Sequence, residues 1–228
     1  MAHLAHYRQA HPLVFVITHW INLLAMLVLI ITGIYIHYPF IAGWMGVARG
    51  AHMFFALVFV INCLFRVGAA FFVKSAPAGG TRATDYDYKS FLPQKDNRHQ
   101  FGPWIKYYLF FKKDHPLGGK YGVPQKLTYI AIPALILLMA FTGMCLWAPT
   151  SVVGPFAAFN SLVGSMMVTR IIHFFFMFVF IIFMLIHVYL ANVEGFAPTK
   201  MMFAWKEHGG LIYDPEVHNI VGEDELDH

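Results

Sequence analysis

Four histidines lie inside strongly apolar stretches of this 228-residue chain: His19, His52, His173 and His187. An ionisable group in hydrocarbon is costly, and such groups face a bundle interior, where they act as ligands, relays or hydrogen-bond partners. One such histidine has an ordinary alternative, a hydrogen bond to a neighbouring helix. Four in matching positions point to metal ligation through imidazole nitrogen. His173 and His187 are 14 residues apart, a spacing that returns to within about 40° of the same helix face and separates them by roughly 21 Å. His19 lies near the start of the stretch 13–36, and His52 near the start of 51–73. With antiparallel neighbours, His19 is level with His187 and His52 with His173, and the crossed pairings would need a bond across most of the membrane. Each pair can hold one iron, which predicts two b-type haems stacked across the bilayer. Bis-histidine ligation fills both axial positions and leaves none for oxygen or substrate, so the chemistry is electron transfer and not haem catalysis. His37 ends the first stretch as an interfacial residue, and the other histidines fall in loops and tails.

The elements that must position these residues follow from composition. The chain is 58% hydrophobic and 12% charged, too apolar for a soluble domain. The stretches 13–36, 51–73, 127–148 and 166–191 each match the roughly 20 residues needed to cross about 30 Å of hydrocarbon. The expected fold is an all-α membrane protein, a four-transmembrane-helix bundle enclosing the haems. Residues 1–206 form the membrane domain, and 207–228 a polar tail ending in GEDELDH, whose ordinary reading is a solvated run. The first stretch is too long, and has no small-residue cleavage site after Tyr38, to be a cleaved signal peptide. Cys63 and Cys145 lie in apolar stretches outside any C-x-x-C-H motif, which excludes covalent haem attachment and leaves them as small core residues.

Charge gives the orientation. The 74–126 segment carries Lys74, Arg82, Lys89, Lys95, Arg98, Lys106, Lys112, Lys113, Lys120 and Lys126, whereas 37–50 and 149–165 hold Arg49 alone. The 74–126 loop is therefore cytoplasmic, and Arg8, Lys200 and Lys206 place both termini on the same side, with Arg170 the exception. The net charge of +4 is a topology signal and not a nucleic-acid footprint. Within the loop, 75–100 reads as an irregular polar connection and 101–113 (FGPWIKYYLFFKK) as an amphipathic helix on the cytoplasmic surface. Residues 149–165 are too short and interrupted for a fifth span and suit an interfacial helix or a docking surface.

Helices around a porphyrin need small residues where it lies flat. Gly33, 14 residues after His19, is on the same face at the level of the other haem, and Arg66, 14 after His52, could pair a propionate. Both have ordinary alternatives, since Gly is common in membrane helices and Arg can snorkel to the interface.

The pair His19-Trp20, the pair Thr32-Gly33, His52, Lys120-Tyr121 followed by Gln125-Lys126, the pair Thr142-Gly143, and His173 with His187 together resemble the di-haem cytochrome b subunit of respiratory formate dehydrogenases and nickel-iron hydrogenases, over residues 13–205. The resemblance implies a multi-pass anchor in a bacterial or archaeal cytoplasmic membrane, bound to an iron–sulfur subunit and a periplasmic catalytic subunit. It implies electrons arriving at the outer haem and leaving to menaquinone or ubiquinone beside the inner one. The implied quinone site takes His187 and residues 120–126, including Gly122 and Gln125. This chain has Gly122 where the formate dehydrogenases have Asn, and Pro124 where Gly is common. Glu194, seven residues after His187, is either a proton carrier to the quinone or a solvated residue at a helix end. Two other readings stay open: the same wire run backwards, oxidising quinol for a periplasmic reductase of the thiosulfate type, and a haem-free membrane anchor or proton carrier.

Overall fold

The computed structural model describes residues 11–76, 84–92, 99–112, 121–192, 196–205, 211–214 and 219–222. In chain order the elements are α1 (Leu13–His37), α2 (Met45–Phe72), the two-residue strands β1 (Lys74–Ser75) and β2 (Asp85–Tyr86), a 3-10 turn (Asp87–Phe91), α3 (Phe101–Tyr108), α4 (Val123–Leu146), α5 (Ala148–Ser151), α6 (Gly154–Leu162), α7 (Met166–Asn192), α8 (Ala197–Ala204), β3 (Leu211–Asp214) and β4 (Asn219–Gly222). Helices α1, α2, α4 and α7 are long and apolar enough to cross a membrane. A chain in hydrocarbon must pair every backbone N–H and C=O within itself, and a helix does so segment by segment. The outward faces of these helices expose Leu24, Ile31, Phe54, Leu57, Ile61, Ile182 and Leu185 by more than half. Water would penalise apolar surface on that scale, whereas lipid solvates it.

Two helices begin earlier than the apolar stretches they contain. Helix α2 starts at Met45 and α4 at Val123. Apolarity marks the part in hydrocarbon, but helical hydrogen bonding continues through the interface until a cap ends it. At α4 the cap is visible: the Gln125 side chain accepts the Gly122 N–H at 2.8 Å, one half of a capping box. Helix α3 stops at Tyr108 instead of continuing to 113. Phe110 is left-handed (φ 61°), and the N–H groups of Phe110 and Phe111 return to the carbonyls of Tyr107 and Lys106, the bonding of a Schellman motif. The 149–165 connection forms the short helices α5 and α6. The C-terminal tail holds an unanticipated antiparallel hairpin, with Leu211 opposite Gly222 and Asp214 opposite Asn219. Its Ile, Tyr and Val residues favour strand, a signal masked by the acidic run beyond it.

The chain divides into two compact units. The first comprises Thr18–Phe65 and Ile132–His187 and carries the central part of the helix bundle. Its core is Ala25 from α1, Phe59 and Cys63 from α2, Ile136 from α4 and Phe180 from α7, surrounded by Met26, Leu29, Phe55, Val58 and Met139. Polar side chains tie its helices together. Asn62 of α2 donates to the Thr18 carbonyl and to Asn22 Oδ1 of α1, both at 2.7 Å. Asn160 of α6 donates to the Cys145 carbonyl at 2.9 Å and accepts from Thr169 Oγ1 at 2.6 Å, which pins α6 to α4 and α7. Both cysteines are free and buried.

The second unit comprises Met1–Ile17, Arg66–Ala131 and Val188–His228. Its organising centre is Asp87, fully buried, which accepts Ser75 Oγ at 2.7 Å and Arg66 Nη2 at 3.0 Å. A buried carboxylate is tolerable only when paired in this way. Arg66 also lies over the Phe15 ring, 3.6 Å from its centroid. Nearby, Tyr121 stacks on Phe91 and contacts Tyr129. Burial, and then the neighbouring Tyr129, hold the Tyr121 phenol well above its ordinary pKa, so it remains a hydrogen-bonding hydroxyl.

Candidate functional site

All four intramembrane histidines belong to the first unit, and they meet as two pairs. His52, from the second turn of α2, faces His173 of α7, with ring centroids 6.3 Å apart and planes inclined at 62°. His19 of α1 faces His187 of α7, with centroids 6.1 Å apart and planes at 47°. The separations carry chemical information. A metal–imidazole bond of about 2.0 Å, with the nitrogen about 1.15 Å from its own ring centre, puts two opposed imidazoles on one metal about 6.3 Å apart. Both histidine pairs match that separation. Aromatic rings in edge contact reach the same distance, as Phe59 and Phe180 do at 6.1 Å, so what sets the histidines apart is their placement as two facing pairs on α1, α2 and α7.

The surroundings suit a flat macrocycle as well as a metal. Gly33 of α1 lies beside His52, where a Cβ would come 3.5 Å from the His52 Cε1 and 3.7 Å from Met177 Sδ. Gly143 of α4 lies beside His173 in the same way, its Cβ position 3.5 Å from that Cε1. Each glycine leaves free the surface next to its histidine, room that a haem held by these residues would use. Each follows a threonine that hydrogen-bonds the same histidine. Thr32 Oγ1 is 2.9 Å from His52 Nδ1, and Thr142 Oγ1 is 2.8 Å from His173 Nδ1. The two Thr-Gly pairs are thus one device used twice, on α1 for His52 and on α4 for His173.

The other pair is built differently. Trp20 presents its edge to His19, and Phe183 stacks on His187 with centroids 5.7 Å apart. The hydrogen bond from Asn62 to the carbonyl of Thr18, next to His19, fixes this part of α1 against α2. His19 Nδ1 is buried and meets no hydrogen-bond partner among the described residues.

The model of the prokaryotic cytochrome b561 family matches residues 10–205, which contain all four histidines. The chain belongs to that family. No curated protein matches it. Membership makes it a b-type, haem-binding membrane cytochrome of electron transport, and with its four apolar helices a multi-pass bacterial membrane protein. Within the family fold, the histidine pairs are the residues that could hold haem iron, with a Thr-Gly pair against His52 and another against His173.

The remaining sequence candidates have structural duties. Arg66, expected beside a propionate, is engaged by buried Asp87 and stacked on Phe15. Gly122 is required by close packing: a Cβ there would come 2.9 Å from Cε2 and Cζ2 of Trp104, a buried residue of α3. Gln125 caps α4 through the Gly122 N–H. Glu194 lies outside the described residues. Sequence reasoning did not assign Thr32 and Thr142 a role at the histidines, although the recurrence of Thr-Gly in two apolar stretches was an available signal. Asp87 gave none, being one acidic residue in a polar loop.

Proposed function

We propose that this protein is a di-haem cytochrome b subunit which carries electrons across the membrane between a redox partner at the His52 and His173 end and a quinone at the His19 and His187 end. The observation that supports the reading is the pair of facing histidines at each of two levels, at separations that match two imidazoles on one metal. His52 and His173 would hold one haem, with Gly33 and Gly143 flanking it, and His19 and His187 the other. Bound haem supplies one-electron exchange without an open coordination position. The chain's own part is to hold the imidazoles at fixed levels and keep water from the space between them.

The partners that fit are an iron–sulfur subunit and a periplasmic formate dehydrogenase or hydrogenase, with menaquinone or ubiquinone as acceptor. The supporting features are the resemblance in the histidine set and the concentration of basic residues in 74–126, which favours a cytoplasmic loop and both termini inside. A reduced-minus-oxidised spectrum with haem quantitation on the purified chain tests the core of the proposal. Two b-type haems per chain are expected, falling to one in His173→Ala and to one in His187→Ala. A chain without b-type absorption would leave the haem-free anchor as the correct reading. Identification of the copurifying subunits tests the second part, and a terminal reductase in place of a dehydrogenase or hydrogenase would reverse the direction of flow.

A further inference from the structure

We propose that Thr32 and Thr142 are positioning residues that make the two haem centres electronically inequivalent, by holding the Nδ1 protons of His52 and His173. The inference rests on the bis-histidine reading above and adds a property that the histidines alone do not specify. Each threonine lies inside a helix and has one hydroxyl proton to give. Thr32 Oγ1 directs it to the Val28 carbonyl at 2.7 Å, and Thr142 Oγ1 to the Leu138 carbonyl at 3.0 Å, each one turn back along its own helix. What remains toward the histidine is an oxygen lone pair. With the hydroxyl proton so directed, Nδ1 is the donor in the contacts at 2.9 and 2.8 Å. That selects the tautomer in which Nε2 carries the lone pair, the form able to ligate iron from that nitrogen.

The arrangement occurs on two different helices, with threonine and histidine 20 residues apart in one case and 31 in the other. The two hydrogen bonds therefore do not follow from a common local sequence geometry. Among the described residues the second centre has no counterpart: His19 Nδ1 meets no partner there, and no hydrogen bond from His187 is found. An acceptor on the distal ring proton increases the basicity of the ligating nitrogen. A more basic axial ligand favours ferric over ferrous iron, so the threonines lower the potential of the centre they serve.

The test is a redox titration of the detergent-purified full chain, following the b-type absorption of wild type, Thr32→Val and Thr142→Val. Valine keeps the shape of threonine and removes the acceptor. One of the two one-electron components is expected to favour the ferrous state by about threefold to tenfold, which at 59 mV per decade is roughly 30 to 60 mV upward, while the other stays in place. Thr142→Ser, which retains the hydroxyl, should return to the wild-type potential. Loss of a single haem in a valine variant, restored by serine, also supports the assignment. Unchanged potentials in both valine variants, an equal shift of both components, or indiscriminate loss of both haems overturns it. A wild-type chain with fewer than two b-type components would instead refute the bis-histidine reading itself.

Discussion

Asp87→Ala is expected to destabilise this cytochrome by about 3 kcal/mol through the loop unit, without touching a histidine. The Asp87 carboxylate is wholly excluded from solvent, while the side chain of its partner Arg66 is 21% exposed. Removing one member of a buried ion pair costs about 3 to 5 kcal/mol when the abandoned charge stays dry. The partial exposure of Arg66 lets water reach the guanidinium and brings the cost to the lower end of that range. For a chain of this length each kcal/mol moves the melting point by about 2 to 4 °C, so the expected drop is roughly 6 to 12 °C. Thermal denaturation of the purified protein in detergent, followed by circular dichroism, measures it. A double variant, Asp87→Leu with Arg66→Leu, should recover at least half of the loss, because both polar groups are then absent together. A single-variant loss below about 1 kcal/mol, or a double variant no better than the single, would refute the account of Asp87 as the buried partner of Arg66.

Other expectations follow from the same geometry. On the di-haem reading proposed above, Gly33→Leu and Gly143→Leu should each reduce haem content from two to one per chain by filling the surface beside His52 or His173; retention of both haems would show that the macrocycle lies elsewhere. Gly122→Ala should displace the Trp104 indole, at a cost of about 1 to 3 kcal/mol, and change tryptophan emission; an unaltered spectrum and melting point would contradict the close approach. The Asp85 carboxyl is held below its ordinary pKa, first by the hydrogen bond from Lys89 and then by the Tyr86 N–H. Its contribution to stability is therefore present above the unfolded value of about 3.9 and is lost as pH falls through the lower folded value. Melting points of wild type and Lys89→Met should converge on acidification across that window, and parallel curves would exclude the linkage.

The spans were legible because membrane helices advertise themselves through apolar length, and the pairing of histidines because helix rise and antiparallel order leave one arrangement. What the sequence did not show was held by contacts between elements far apart in the chain. Thr142 reaches a histidine 31 residues away, and Asp87 meets Arg66 across a polar loop that separates them in sequence. Gly122 and Gln125 were legible as unusual but not as structural, because the indole that demands the glycine belongs to α3 and the cap depends on where α4 begins. The helix ends moved for a similar reason: capping chemistry, and not hydrophobicity, decides where a helix stops.

Phe59 and Phe180, packed edge to face with centroids 6.1 Å apart, lie with Ala25, Cys63 and Ile136 midway along the helices, seven residues beyond His52 and His173 respectively. Energy-conserving membranes must stay tight to ions while passing charge, and on the proposed di-haem reading this cluster would let one small bundle meet both demands. Electrons tunnel through a few ångströms of hydrocarbon, whereas a proton needs a continuous file of water or side-chain donors, and a plug of aromatic and aliphatic groups provides none. The middle of the protein would then behave as the dielectric of a charged capacitor. Polar substitutions there would be felt less as lost stability than as leak, a defect visible only in sealed vesicles under an imposed potential.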